Sequence, residues 1–280
     1  MIVGTSHAIL TVQDSAAGIH ALEALGYACK FVQKQLPSHP SKGRFLANEY
    51  LTHDLTFMTA SEGLPIELVN YGSVVPLASS TPSLCPVFDA PPPEHLLMDA
   101  SDHNLGHCVD QAFGVTNSIA AAIRGLPNVT ACFLGGANRN CGLKAIICPV
   151  ADLNRALSFW SQHLGFTPAK KKPGIERLDF KSPVSAWNLS IILVQISTKK
   201  PSDPLDFPGL RGLSVICTKI QQDRHRVIDT GFCKGQTQPF ATTIDGQRLF
   251  LEILELPDNL YIELLQVNPR AEFKANPQKE

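Results

Sequence analysis

The chain has 280 residues, 44% of them hydrophobic, and a formal net charge of -1, which suits one large core or two moderate ones. No Lys/Arg stripe with interleaved aromatics is present, so a nucleic-acid partner is excluded, and no run approaches the ~20 apolar residues of a membrane helix, so a soluble protein is expected. The N-terminus enters a strand directly, without a basic region, a long apolar region or a cleavage site, and reads as that of an unsecreted, cytoplasmic protein. Eight cysteines are scattered with no Cys-x-x-Cys pair; buried reduced thiols are favoured over disulfides or a thiolate zinc site.

In chain order, His7-Ala8-Ile9-Leu10-Thr11-Val12-Gln13-Asp14 reads as a strand whose last residue caps a helix carrying Ile19, Leu22 and Leu25 at amphipathic spacing. Leu25-Gly26-Tyr27 stops that helix, because glycine enters the left-handed region without steric cost. A Pro/Ser/Lys loop over Pro37 to Lys42 precedes extended segments at Arg44 to Tyr50, Asp54 to Thr59 and Leu64 to Tyr71. A Pro/Ser-rich connector from Pro76 to Pro93 leads to His95 to Asp102, spaced like His7 to Asp14, then a predicted helix over Leu105 to Ile123 and a strand from Asn128 to Gly135. Gly135-Gly136 lacks the spacing of a phosphate-cradling loop and reads as a turn.

The opening recurs as Ala145-Ile146-Ile147-Cys148-Pro149-Val150-Ala151-Asp152, a helix with Ala156, Leu157 and Trp160, and Leu164-Gly165-Phe166, followed by strands near Glu176 to Phe180 and Trp187 to Ile196. A fourth copy starts near Gly212-Leu213-Ser214-Val215-Ile216-Cys217 and stops its helix at Thr230-Gly231-Phe232. In it Asp245-Gly246 separates two β-rich runs, the strongest short hairpin signal. A second turn at Pro257-Asp258-Asn259 returns the chain into the last strand. The tail after Pro269 is polar and reads as frayed.

Two strands end alike, Ile66-Glu67-Leu68-Val69 and Ile262-Glu263-Leu264-Leu265. Each places one carboxylate inside an apolar strand, where a charge normally neutralises or acquires a partner. That pair, with a histidine at the head of the first strand, is the chemical signal of this sequence. Its bland counterpart is a Glu67 held by a nearby Arg or Lys.

Four strand-helix-strand-strand-strand units with this placement of His and Glu resemble the vicinal oxygen chelate superfamily, which includes glyoxalase I, extradiol dioxygenases, fosfomycin-modifying enzymes and bleomycin-resistance proteins. The resemblance implies an α+β fold of tandem βαβββ modules in two half-barrel domains: residues 1–140 with a degenerate second module, and 141–270, followed by a disordered tail 271–280. It implies a divalent metal of the Zn, Fe, Mn, Ni or Co kind, with coordination positions left open for two vicinal substrate oxygens. Carried over by position, the metal ligands are His7, Glu67 and His95. Ala145 and Gly212 stand where the third and fourth units would supply histidines, so Glu263 is expected in a second, metal-free barrel, hydrogen-bonding within it or contacting a ligand; Glu67 and Glu263 are the catalytic candidates. The partner is then a small molecule, and barrels in this family are often completed across a homodimer. The function expected is metal-dependent lyase, isomerase or dioxygenase chemistry on a substrate with vicinal oxygens; the alternative is a non-catalytic, ligand-sequestering protein.

Other candidates read more simply. His103 and His107 are four apart on a helix, without the following carboxylate of a His-Glu-x-x-His site, and suit a solvated face. His53-Asp54 is either a proton-transfer pair at the barrel mouth or a surface pair at a strand entry. Trp187 and Tyr261 are candidates to line a cavity. No Gly-x-Ser-x-Gly elbow is present.

Overall fold

The computed structural model describes residues 1–72, 84–89, 94–98, 103–134, 142–182, 187–197, 203–257 and 260–267. Most of the expected 76–93 connector, the Gly135-Gly136 turn, the turn at residues 258–259 and the tail lie outside the described residues.

The first unit comprises β1 (Ile2–Thr11), α1 (Ser15–Ala24), β2 (Ala28–Pro37), β3 (Thr52–Thr59) and β4 (Ile66–Asn70). Asp14 caps α1 as its side chain accepts from Ala16 N and Ala17 N, and Gly26, at φ 83°, takes the left-handed turn after it. The second unit holds β5 (Cys85–Asp89), β6 (Leu97–Met98), α2 (His103–Phe113), β7 (Ile119–Ile123) and β8 (Thr130–Leu134). In the third are β9 (Leu143–Val150), α3 (Leu153–Ser158), extended by a π turn over Phe159–His163, and β10 (Thr167–Lys172), β11 (Ile175–Lys181) and β12 (Asn188–Gln195). The fourth contains β13 (Gly209–Cys217), α4 (Ile220–Ile228), β14 (Gly235–Gln236), β15 (Phe240–Ile244), β16 (Gln247–Glu255) and β17 (Tyr261–Val267). The Asp245-Gly246 link joins β15 to β16 with both residues at positive φ, 48° and 71°, the conformation that right-twisted hairpins prefer.

Three sequence expectations change. Arg44 to Tyr50 is not a strand: Pro40–Phe45 forms a 3₁₀ turn, and the strand pairing with β3 is β2. As an edge strand exposed along most of its length, β2 shows no hydrophobic alternation to read. His95 to Asp102 does not open the second unit. β5 does, within the stretch read as connector, and Pro86 is tolerated there because β8 pairs with β5 only from Val87 onward. The helix over Leu105 to Ile123 stops at Phe113, where Gly114 (φ 72°) and Asn117 (φ 67°) turn the chain into β7.

Two sheets result, ordered β14-β16-β17-β13-β1-β4-β3-β2, with β15 on β16, and β10-β11-β12-β9-β5-β8-β7-β6. The first sheet joins unit one to unit four through antiparallel β1 and β13; the second joins units two and three through β5 and β9. One main core ties the sheets together, holding Leu10, Leu68 and Leu264 of the first, Ile146, Phe133 and Ile191 of the second, and Leu22, Trp160 and Val227 from the helical segments of units one, three and four. Helix α2 stands apart. It packs on β7 and β8 from one side of the second sheet and on β10, β11 and β12 from the other, so Val109 and Ala112 fill that barrel against Val87, Ala145, Ile147 and Ile192. Among the described residues the barrel of the first sheet has no such helix.

Candidate metal and ligand-binding site

Strand alternation decides which side chains enter the first barrel. Ala8 and Leu10 of β1, with Val12 just after it, belong to the main core, so His7, Ile9 and Thr11 face the concave side. In β4, Ile66 and Leu68 enter the core and Glu67 and Val69 point into the barrel. Parallel pairing sets Ile9 beside Glu67 and Ser214 beside Glu263, while antiparallel pairing sets His7 beside Ser214. The two carboxylates therefore flank the central strands from either side.

His7 Nε2 lies 3.4 Å from Glu67 Oε2 and 3.6 Å from Glu263 Oε1, and all three side chains are buried. The ring is held at Nδ1 by Ser6 Oγ, 3.0 Å away, and by the edge-on Phe57 ring at 5.4 Å. Ser214 Oγ donates to Glu263 Oε1 at 2.8 Å. His7 Nε2 itself is a buried nitrogen without a hydrogen-bond partner. Burial pushes the His7 pKa down to about 3 and that of Glu67 up to about 8, the charge of Glu263 adding to the rise and Lys42 opposing it. Glu263 is raised by burial as well, against its Ser214 hydrogen bond and Lys42. Near neutral pH the His7–Glu67 contact is thus between a neutral imidazole and a carboxyl group that holds its proton, not an ion pair.

Among the described residues no group of three or more His, Cys, Asp or Glu side chains is placed to hold a metal ion as it stands. Two separations nevertheless suit a divalent metal. Ligands at about 2.1 Å in tetrahedral arrangement are roughly 3.4 Å apart, close to the two separations at His7 Nε2, which is orphaned and aimed between the carboxylates. Gly212 occupies in β13 the register position of His7 in β1. A Cβ there would meet Tyr261 O at 2.6 Å, so β13 offers no counterpart of His7.

Of the residues singled out in the sequence, His7, Glu67 and Glu263 converge. The expectation that Glu263 lies in a separate barrel is overturned by the pairing of units one and four. His95 does not join them: it is exposed on the short turn Glu94–Leu96, before the edge strand of the other sheet. His107 is likewise exposed and contacts Gln111. His53 and Asp54 are not a surface pair, since His53 is buried in the barrel while Asp54 accepts from Gln35 N. Tyr261 lines the cavity of the first barrel; Trp187, its Nε1 donating to Thr5 O, lines a different cavity of about 340 Å³ with Phe113 and Lys144.

Lys42 carried no sequence signal beyond its place in a Pro/Ser loop. The 3₁₀ turn Pro40–Phe45 lies across one end of the barrel, and Lys42, only 9% exposed, enters it. Around it His39 stacks on Phe240, Phe45 packs on Tyr261, and Asp206, itself buried, accepts from Ala47 N and Tyr50 OH, both at 2.8 Å. Asp206→Ala leaves that backbone N–H unsatisfied, and a loss of about 1–3 kcal/mol is expected in urea unfolding. Faster amide exchange confined to residues 38–51 would identify the strap as the affected part.

No family model and no curated protein sequence matches the chain. Solved structures do. Glyoxalase I from Zea mays superposes on 94% of this chain and 92% of its own, with a TM-score of 0.58 at 11% identity. A putative dioxygenase from Bacillus subtilis covers 96% of this chain and 86% of its own, with a TM-score of 0.60 at 10% identity. The fold is that of the vicinal oxygen chelate superfamily. Within the described residues no helix is long and apolar enough to cross a membrane. Both flanks of the first barrel of this vicinal oxygen chelate fold come from one chain, and both of its buried strand glutamates meet there.

Proposed function

We propose that the first barrel binds a small organic molecule with vicinal oxygens and that a divalent metal of the Zn, Fe, Mn, Ni or Co kind, held by His7, Glu67 and Glu263, assists lyase, isomerase or dioxygenase-type chemistry on it. The observation that carries this reading is the orphaned His7 Nε2 between two buried carboxylates. When bound, such an ion supplies Lewis acidity toward an oxygen of the ligand. The chain's own residues do the rest: Ser6 and Phe57 fix the plane of the His7 ring, Ser214 fixes Glu263, and Phe31, Phe57 and Leu249 wall the approach and exclude water.

Elemental mass spectrometry on protein purified without chelator tests the assignment. Near-stoichiometric metal is expected in the parent and in His95→Ala, with loss in His7→Ala, Glu67→Gln and Glu263→Gln. Absence of metal in the parent, including after reconstitution with each ion, would sink the metal reading and leave the ligand-sequestering one.

A further inference from the structure

The first barrel contains two adjoining spaces that share lining residues. An outer pocket of about 180 Å³ is walled by Phe31, Phe57, Leu249 and Val267 and carries His7. An inner chamber of about 30 Å³ carries Lys42, His53, Tyr71 and Tyr261. Glu67, Glu263, Ile244 and Leu251 line both, so the His7 trio stands at the neck between them. The inner chamber has room for about two water-sized atoms, at roughly 10–15 Å³ each.

Its polar groups are unusual for so small and buried a space. Lys42 makes no ion pair within 4.0 Å among the described residues; its ammonium instead lies 5.6 Å from the centre of the Phe240 ring. His53, 4% exposed, has a buried Nδ1 without a hydrogen-bond partner. A buried cation normally has a partner, because desolvation without one is costly. Glu67 and Glu263 line the same chamber, yet neither carboxyl group comes within 4.0 Å of the Lys42 ammonium.

We propose that Lys42, with His53, is the binding site for an anionic head of the ligand, so that the molecule taken up is a small carboxylate bearing an oxygen on the adjacent carbon and an apolar body. The carboxylate fills the inner chamber, where its two oxygens match the space. The adjacent oxygen lies at the neck beside His7, and the apolar body occupies the outer pocket against Phe31 and Phe57. This rests on the proposed metal reading for the position of the oxygens, but the Lys42 contact does not require the metal.

The test is calorimetric titration with mandelate and with 1-phenylethane-1,2-diol, which keeps the phenyl ring and the vicinal oxygens and lacks the negative charge. It is run on protein of measured metal content, both loaded and chelator-stripped. Mandelate is expected to bind at least about tenfold tighter than the diol, the effect of one charge-assisted hydrogen bond in a buried site. Lys42→Met, compared with the parent at matched metal content, should bring the two affinities within about twofold of each other by weakening mandelate. Lys42→Gln serves if Lys42→Met does not fold. A parent that shows no preference, a preference that persists without Lys42, or no binding of either compound overturns the proposal. A Lys42-dependent preference in protein that takes up no metal upholds it while refuting the metal reading, so the two failures are distinguishable.

Discussion

Glu67→Gln is expected to make the metal-free protein more stable than the parent at pH 9 while abolishing metal uptake. In the folded state the Glu67 pKa is about 8, well above its unfolded value near 4.5, so the native state binds this proton more tightly. The stabilisation is fully present below about pH 4.5 and is lost as the pH rises through 8. His7 has the opposite sign: its folded pKa of about 3 lies below 6.5, so its contribution is present above 6.5 and lost as the pH falls toward 3, and His53 behaves likewise. The metal-free parent should therefore be most stable near pH 6–7 and decline toward pH 9. Glutamine imitates the protonated carboxyl and removes that decline, a difference on the order of 3–5 kcal/mol at pH 9. Saturating metal, which replaces the proton, should flatten the parent curve and leave the variant unaffected. Urea unfolding from pH 5 to 9, with chelator and with metal, measures all four curves. A variant that declines in parallel with the chelated parent would refute the assignment of Glu67 as the titrating group.

The second large effect concerns the other barrel. Ala145 stands in β9 where His7 stands in β1, and the register pairs Ile147 with Ile192 as it pairs Ile9 with Glu67. Ala145→His combined with Ile192→Glu would thus rebuild the His-Glu pair on paper. The expected result is no additional metal and a loss on the order of 4 kcal/mol or more, because α2 fills this barrel with Val109 and Ala112 and two polar groups would be buried there without partners. Overpacking adds to the cost, since neither Ala145 nor Ile192 has exposed surface. Metal content and the unfolding midpoint of the double variant decide it, and a stable protein that takes up extra metal would show the helix to be displaceable.

Much of the local structure was legible in the sequence, because its determinants are short-range. Asp14 and Asp152 cap helices in both copies of the opening phrase, Gly26 and Gly165 end them, and Asp245-Gly246 makes the hairpin. Glu67 and Glu263 were recognisable as buried carboxylates, since a strand's alternation assigns a face to each residue. The second unit was misread where local signals conflict. Pro86 argued against a strand that tolerates it, and His95 imitated the spacing of His7 at the edge of the other sheet.

By itself, then, the sequence determined three of the four repeated units, their helix caps and turns, the resemblance in fold, and the burial of Glu67 and Glu263 inside apolar strands. Only the tertiary structure decided that unit one pairs with unit four, that Glu263 therefore meets His7, that α2 fills one barrel and leaves the other free, and that Lys42 enters the free one. The physical reason is that alternation tells a side chain which face it lies on, whereas the partner of that face is chosen by packing between segments more than 200 residues apart in the chain, as for Ala8 and Leu213.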